Sequence, residues 1–203
     1  MAIKNIIFDI GNVLVDFRWK QYMIDLGFSD KAVEDLGKGM VLDPLWVELD
    51  RGEQEEAQII DQFRARLPEY TDEIDLYWKE PTDMISMRPG SDEWVKGYKD
   101  RGFNIYLLSN YPKGLFACHE KKFLFLPYVD GKVVSYEVKK TKPEREIYEA
   151  LISKYDLVPQ ECVFIDDVEK NVNGAKAIGI HGVVYVTREQ VIEDVEQIIT
   201  ECK

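Results

Sequence analysis

Phe8-Asp9-Ile10-Gly11-Asn12-Val13-Leu14-Val15-Asp16 is the stretch whose reading decides the fold class. Upstream, Ile3 to Phe8 is apolar except for Lys4 and Asn5, and the run stops on an aspartate. A glycine and an asparagine follow, then a second apolar run. Run length, β-branched content and the breaker after it predict a strand buried on both faces, with Asp9 at its carboxyl end. In open parallel sheets that end is where ligands and chemistry collect. By itself the segment serves a turn cap as well as a reactive carboxylate. What recurs downstream separates the two.

Outward from this strand, Trp19, Tyr22, Met23 and Leu26 fall at helical spacing, and Gly27 closes the helix. From Ser29 to about Met87 no strand is predicted. Ser29-Asp30 opens an acidic helix towards Gly37, and Asp43-Pro44 opens another carrying Leu45, Trp46 and Leu49. A third places Ala57, Ile60, Phe63 and Leu67 on one face and ends at Pro68. Thr71 caps a last one running towards Pro81. These helices read as an all-helical insertion whose many carboxylates form a solvated face.

The pattern changes at Arg88-Pro89-Gly90. Ser91 caps a helix to about Arg101. Phe103 to Leu108 is an apolar strand ending in Ser109-Asn110, and Lys132 to Val134 a short one. Pro143 sits in the first turn of a helix with inner face Ile147, Ala150 and Leu151. Cys162 to Ile165 is a strand ending in Asp166-Asp167. A helix from about Glu169 to Ile178, a strand from Gly182 to Val186 and a final helix with Val191, Val195, Ile198 and Ile199 complete the chain. Strands alternating with helices imply right-handed crossovers and an α/β, doubly wound parallel sheet. The expected division is a core of residues 1–16 and 87–203 and a helical unit of 17–86.

A length of 203 residues suits one α/β domain with a smaller inserted unit. No apolar run approaches the roughly 18 residues of a membrane span, and Asp9 interrupts what would be a signal-peptide core. Cys118, Cys162 and Cys202 are odd in number and lack metal-like spacing, which points to a cytoplasmic protein without a disulfide framework. A formal net charge of −12 excludes a nucleic-acid partner, which demands a basic footprint. The same acidity means that any anion site must be locally positive.

Three predicted strands end in small polar or acidic groups: Asp9, Ser109-Asn110 and Asp166-Asp167. Side by side, their carboxylates repel one another and stay protonated unless a cation neutralises them. An oxygen-only ligand set favours magnesium, which takes a few carboxylates, a carbonyl and waters.

These segments together resemble the haloacid dehalogenase (HAD) superfamily of hydrolases. Asp9 to Val13 is similar to its first motif, Leu107-Leu108-Ser109-Asn110 to its second and Lys142-Pro143 to its third. Phe164-Ile165-Asp166-Asp167, with Asn171 downstream, is similar to the fourth. The resemblance implies a Rossmann-like core with an inserted helical cap, and a phosphatase acting on a small phosphorylated metabolite. It implies Asp9 as a nucleophile that becomes an aspartyl-phosphate. Asp9, the carbonyl of Gly11, Asp167 and the neighbouring Asp166 would hold Mg2+. Ser109, the amide of Asn110 and the backbone amide of Asn12 would bind phosphoryl oxygens. Lys142 would neutralise phosphate and Asp9 together. A monomer with a cap that closes over the site is expected, with hinges near Asp16 and Met87.

One position departs from the pattern. Most family phosphatases carry a second aspartate two residues after the nucleophile as general acid and base, and here that residue is Gly11. Positioned acid–base catalysis is typically worth ~10²–10⁴-fold. A good leaving group such as the anomeric oxygen of a hexose 1-phosphate would relieve the deficit, as would a proton from Asp16 or from a water held by the cap. The Asp-x-Gly-Asn-Val form resembles the bacterial α-glucose-1-phosphatase branch. The alternatives are a metal-independent 2-haloacid dehalogenase and a catalytically weak binding protein. His119 and His181 read as structural or surface residues. Trp19, Trp46 and Trp78 read as core, with either of the first two available to line the cap's underside. Lys38, Arg51 and Arg18 are cap contacts on position alone.

Overall fold

A computed structural model describes residues 1–202. In chain order the elements are β1 (Asn5–Phe8), β2 (Val15–Phe17), α1 (Trp19–Asp25) and α2 (Asp30–Leu36). A wide π turn over Gly37–Val41 leads to α3 (Leu45–Arg51), α4 (Glu56–Arg66), α5 (Thr71–Lys79) and β3 (Ile85–Met87). Then come α6 (Ser91–Asp100), β4 (Asn104–Ser109), α7 (Lys113–His119), β5 (Gly131–Val134), α8 (Ser135–Val138) and α9 (Arg145–Tyr155). The chain continues through β6 (Cys162–Asp166), α10 (Glu169–Lys176), β7 (His181–Val184) and α11 (Arg188–Glu201). No described helix is long and apolar enough to cross a membrane.

Five strands form one parallel sheet in the order β5-β4-β1-β6-β7. β1 is central because all four of its residues are buried, so it tolerates neighbours on both edges and both faces. Strand alternation sorts the core. Ile6 and Phe8 point to the face covered by α6 and α11, where Phe8 meets the Trp94 ring edge-on at 4.9 Å. Ile7, Leu108 and Phe164 point to the other face, packed by Ile147, Tyr148 and Leu151 of α9 and Ala175 of α10. The chain goes from β1 to the β4 side and returns to β6 on the other. The carboxyl end of β1 is therefore the switch point at which such sheets bind ligands.

Between β2 and β3 lie the helices α1 to α5. Their apolar faces, among them Met23, Leu36, Leu49, Phe63, Ile74 and Tyr77, are fully buried. Ser29 caps α2 by accepting from the Ala32 amide at 3.2 Å. Gly37 allows the π turn to close on Trp19, since a Cβ there would stand 2.7 Å from the indole.

Several expectations are corrected. The segment read as free of strands contains β3, which pairs antiparallel with β2. Three-residue strands carry no readable periodicity, and Asp16 and Arg88 tie this ribbon by an ion pair of 2.6 Å. On α4 the buried residues are Ile59 and Phe63, one position off the predicted face at its start. Neither Ser91 nor Thr71 caps its helix from outside. Each is the first helical residue, and Gly90, at φ +71°, holds the position before α6. Pro143 lies ahead of α9 rather than in its first turn, and Tyr148 joins Ile147 and Leu151 on the buried face while Ala150 is half-buried.

Candidate active site

Asp9 follows β1 directly, and its amide donates to Ile165 O of the neighbouring β6 at 2.9 Å. This bond extends the sheet by one residue and fixes the carboxylate at the edge. Asp9 Oδ1 accepts from the Ile10 amide at 2.7 Å and from Ser109 Oγ at 2.6 Å, and Lys142 Nζ stands 2.9 Å from the same oxygen. Asp9 Oδ2 has no hydrogen-bond partner among the described residues. Burial, then the charge of Asp166, push the Asp9 pKa up to about 7 against the opposing pull of Lys142.

Lys142 reaches the site from the loop between α8 and α9. Its Nζ donates to Asp166 Oδ2 at 2.6 Å and to Leu108 O at 3.1 Å. Burial works to lower the lysine pKa, but Asp9 and Asp166 outweigh it and the result is raised. Asn110 positions this loop: its side chain accepts from the Lys142 amide at 2.7 Å and donates to the Lys142 carbonyl at 3.1 Å. The Asn110 side chain is thus occupied, leaving its backbone for an anion.

Asp166 is fully buried and also accepts from Asn171 Nδ2 and from the Val168 amide at 2.8 Å. Asp167 is half-buried. Burial, with the charge of Asp166, raises its pKa, while a hydrogen bond from Asn12 lowers it. Asn12 adopts φ +54°, in the left-handed region where asparagine is among the few tolerated side chains. Its Oδ1 accepts from the Phe17 amide at 3.2 Å, which folds the chain back towards β2.

Asp9, Asp166 and Asp167 each present a carboxylate oxygen, all within 4.8 Å of one another. Three carboxylates face one ammonium there, and Asp9 and Asp167 both have raised pKa values. That excess of buried negative charge is what a hard divalent cation relieves, and the all-oxygen donors suit magnesium. The site therefore brings together the residues expected to attack phosphorus, bind phosphate and hold the metal: Asp9, Gly11, Asn12, Ser109, Asn110, Lys142 and Asp167 line one cavity of about 360 Å³, with Asp166 buried behind Lys142. The volume lies in the range of small-molecule sites.

Part of the remaining wall comes from the helical insertion. Trp19, Val41, Leu42 and Trp46 supply apolar surface, and Trp46 is backed by Trp78 at 5.5 Å between ring centroids. Both tryptophans offered as underside residues line the cavity. One carboxylate stands among these groups: Asp50, in the last turn of α3. Burial, with Asp9 adding to it and Lys142 opposing, pushes its pKa up to about 8. The sequence alone does not single out Asp50, because the insertion's acids read as a solvated face. The available signal was its spacing of four from Trp46, which puts both on one side of a helix.

Three further expectations are settled by geometry. Asp16, offered as a proton source, is held by Arg88 and is absent from the cavity wall. His119 is fully buried rather than on the surface and also lines the cavity. Its Nε2 donates to Pro81 O at 2.7 Å and its Nδ1 accepts from Tyr111 Oη at 2.7 Å. Lys38 pairs with Glu34 and Arg18 with Asp25, away from the cavity, whereas Arg51 binds Glu144 of the core through two bonds of 2.6 and 3.0 Å.

The haloacid dehalogenase-like hydrolase family model matches residues 3–179, and the chain belongs to that family. It is 30% identical over 193 residues to a D-ribitol-5-phosphate phosphatase of Bacteroides thetaiotaomicron, covering 87% of this chain and 89% of the relative. It is 26% identical over 179 residues to a sesquiterpene phosphatase of Aspergillus oryzae, covering 88% of each. Among solved structures it resembles a HAD family enzyme of B. thetaiotaomicron crystallised with magnesium and inorganic phosphate. The TM-score is 0.70 at 24% identity, covering 92% of this chain and 96% of that one.

Proposed function

We propose that the chain is a magnesium-dependent phosphatase for small phosphorylated metabolites, working through an aspartyl-phosphate on Asp9. The observation that carries this reading is the division of labour on the Asp9 carboxylate. Oδ1 takes the contacts from Ile10, Ser109 and Lys142, so Oδ2 is the atom free to attack phosphorus. Phosphatases among the family relatives support it.

In this reading the dianionic phosphoryl group lies at the mouth of the sheet, against Lys142, Ser109 and the backbone amides of Asn110 and Asn12. Lys142, which holds Asp9 and Asp166, holds the phosphate as well once substrate is bound. Asp166 keeps the ammonium in place through its contact of 2.6 Å. Asp9, Asp167, the Gly11 carbonyl and Asp166, directly or through water, would hold magnesium, which when bound shields the phosphoryl charge. Residues 17–86 act as the cap and exclude water, swinging on the ribbon of β2 and β3. Every group named comes from one chain, so a monomer suffices. The three free cysteines fit a cytoplasmic setting.

A sugar phosphate is the favoured substrate class, supported by the D-ribitol-5-phosphate phosphatase relative. A hexose 1-phosphate heads the candidates, as expected of the α-glucose-1-phosphatase branch, because its leaving oxygen asks least of an acid. The metal-free dehalogenase reading leaves the cluster of Asp9, Asp166 and Asp167 without a purpose. The test is phosphate release from a panel of sugar phosphates, with and without magnesium. Release that needs the metal and vanishes in Asp9→Asn is expected. Halide release from 2-haloacids without metal, or binding of phosphate esters with no turnover, would replace the reading with one of its rivals.

A further inference from the structure

We propose that Asp50 is the group that protonates the departing oxygen, a catalytic acid delivered by the helical insertion in place of the one residue 11 lacks. The proposal rests on the phosphatase reading above.

Asp50 lines the same cavity as Asp9 but enters from the insertion side, where the part of the substrate beyond phosphorus must lie. Its carboxyl oxygens have no hydrogen-bond or ion-pair partner among the described residues, in a chain whose other cavity acids are committed. Asp9 and Asp167 belong to the cation cluster. Tyr111 Oη and both nitrogens of His119 are used in the Tyr111–His119–Pro81 chain of hydrogen bonds. Gly11 offers no side chain, and Asp16 faces Arg88.

The backbone around Asp50 is tied to the core residue by residue. Ser135 Oγ donates to Asp50 O, Arg51 holds Glu144 through two bonds, and Lys139 Nζ donates to Gly52 O. Gly52 ends α3 at φ +66°, and a Cβ there would come within 3.0 Å of Tyr136. All four core partners lie between residues 135 and 144, the segment that also delivers Lys142. One stretch of chain therefore positions both the ammonium and the acid. The low-dielectric surroundings that keep Asp50 protonated near neutrality are consistent with the role.

The step balances as follows. Asp9 Oδ2 forms a bond to phosphorus as the bond from phosphorus to the ester oxygen breaks. The electron pair stays on that oxygen, which takes the proton of Asp50 and leaves as an alcohol. Asp50, now a carboxylate, then removes a proton from water as the water oxygen attacks phosphorus. The bond to Asp9 breaks with its electron pair returning to the carboxylate, phosphate departs, and Asp50 is protonated again. An acid so placed opens the site to alkyl phosphates as well as to esters with acidic leaving groups.

The experiment compares p-nitrophenyl phosphate, whose leaving phenolate needs no proton, with glycerol 3-phosphate or another primary alkyl phosphate. Parent, Asp50→Asn and Asp50→Glu are assayed with magnesium. A lost general acid lowers alkyl-ester kcat/KM by roughly 100-fold in Asp50→Asn. The loss on the aryl ester is smaller by at least about tenfold, because little proton transfer is needed there. Asp50→Glu is expected to recover part of the alkyl rate. Equal losses on both esters, or none on either, would overturn the proposal, and aryl turnover reports in the same assay that the variant is folded. If Asp50→Asn fails to fold, Asp50→Ser is read by the same ratio. A parent protein inert towards both esters would instead sink the phosphatase reading, and the proposal with it.

Discussion

Lys142 Nζ and Asp166 Oδ2 stand 2.6 Å apart with both side chains out of solvent. The same ammonium is 2.9 Å from Asp9 Oδ1, so one cation bridges the ends of two adjacent strands. Breaking a buried pair by removing one partner leaves an uncompensated charge and typically costs about 3–5 kcal/mol. Lys142→Met should therefore lower stability by that order in metal-free protein, as read from urea unfolding. It should also abolish phosphate release. A variant as stable as the parent would mean that the bridge is not formed in solution.

The pH dependence of stability has a defined sign. Asp9 has a folded pKa of about 7 against an ordinary 3.8, so the folded state binds its proton more tightly than the unfolded one. Its contribution is present below pH 4 and is lost as pH rises towards 7. His119, whose pKa is lowered by burial, works in the opposite direction and is present in every variant. The comparison must therefore be between parent and Asp9→Asn, both with chelator. Between pH 5 and 8 the melting temperature of the parent should fall relative to that of Asp9→Asn. Parallel curves would refute the assignment.

Gly11 is not in the left-handed region, and a Cβ there meets nothing within 4 Å. Gly11→Asp should fold, since the added side chain meets no atom, and should be less stable than the parent without metal because it adds a carboxylate beside Asp9 and Asp167. Combined with Asp50→Asn, it should restore alkyl-ester turnover by about tenfold or more, since positioned acid–base catalysis is worth ~10²–10⁴-fold. No recovery would show that an acid at residue 11 does not reach the ester oxygen in this site.

Arg51 and Glu144 join the insertion to the core through a two-pronged pair. Arg51→Ala frees the turn that carries Asp50, and any accompanying shift of Lys142, which grips Asp9 whichever ester is bound, would weigh on both esters alike. The expected result is a roughly tenfold fall in kcat/KM for an alkyl phosphate and a smaller fall for p-nitrophenyl phosphate, within the range a positioned acid supplies. Steady-state kinetics on the two esters checks it. An effect confined to KM would assign the pair to substrate capture instead.

The core strands were readable from local pattern. Each of β1, β4 and β6 is a largely apolar run ended by polar residues (Asp9, Ser109-Asn110 and Asp166-Asp167), because a strand buried on both faces admits few polar side chains before its end. The ribbon of β2 and β3 was not, since three residues show no period and its partners lie 68 or more positions apart. Nor was the buried face of α4, where the deciding contacts come from other helices.

By itself the sequence determined the parallel sheet, the carboxylates and lysine gathered at its edge, and the loss of an acid at residue 11. The sheet and the carboxylates follow from residue type and short-range spacing, and Lys142 and the missing acid from the resemblance to the HAD motifs. Only the tertiary structure decided which carboxylate from the insertion faces Asp9. Asp50 and Glu48 are chemically alike and two residues apart, and what separates them is the side of α3 that Arg51, Ser135 and Lys139 turn towards the core. Such contacts join residues some 85 to 93 positions apart, a range over which neighbouring residue types carry no record of the pairing.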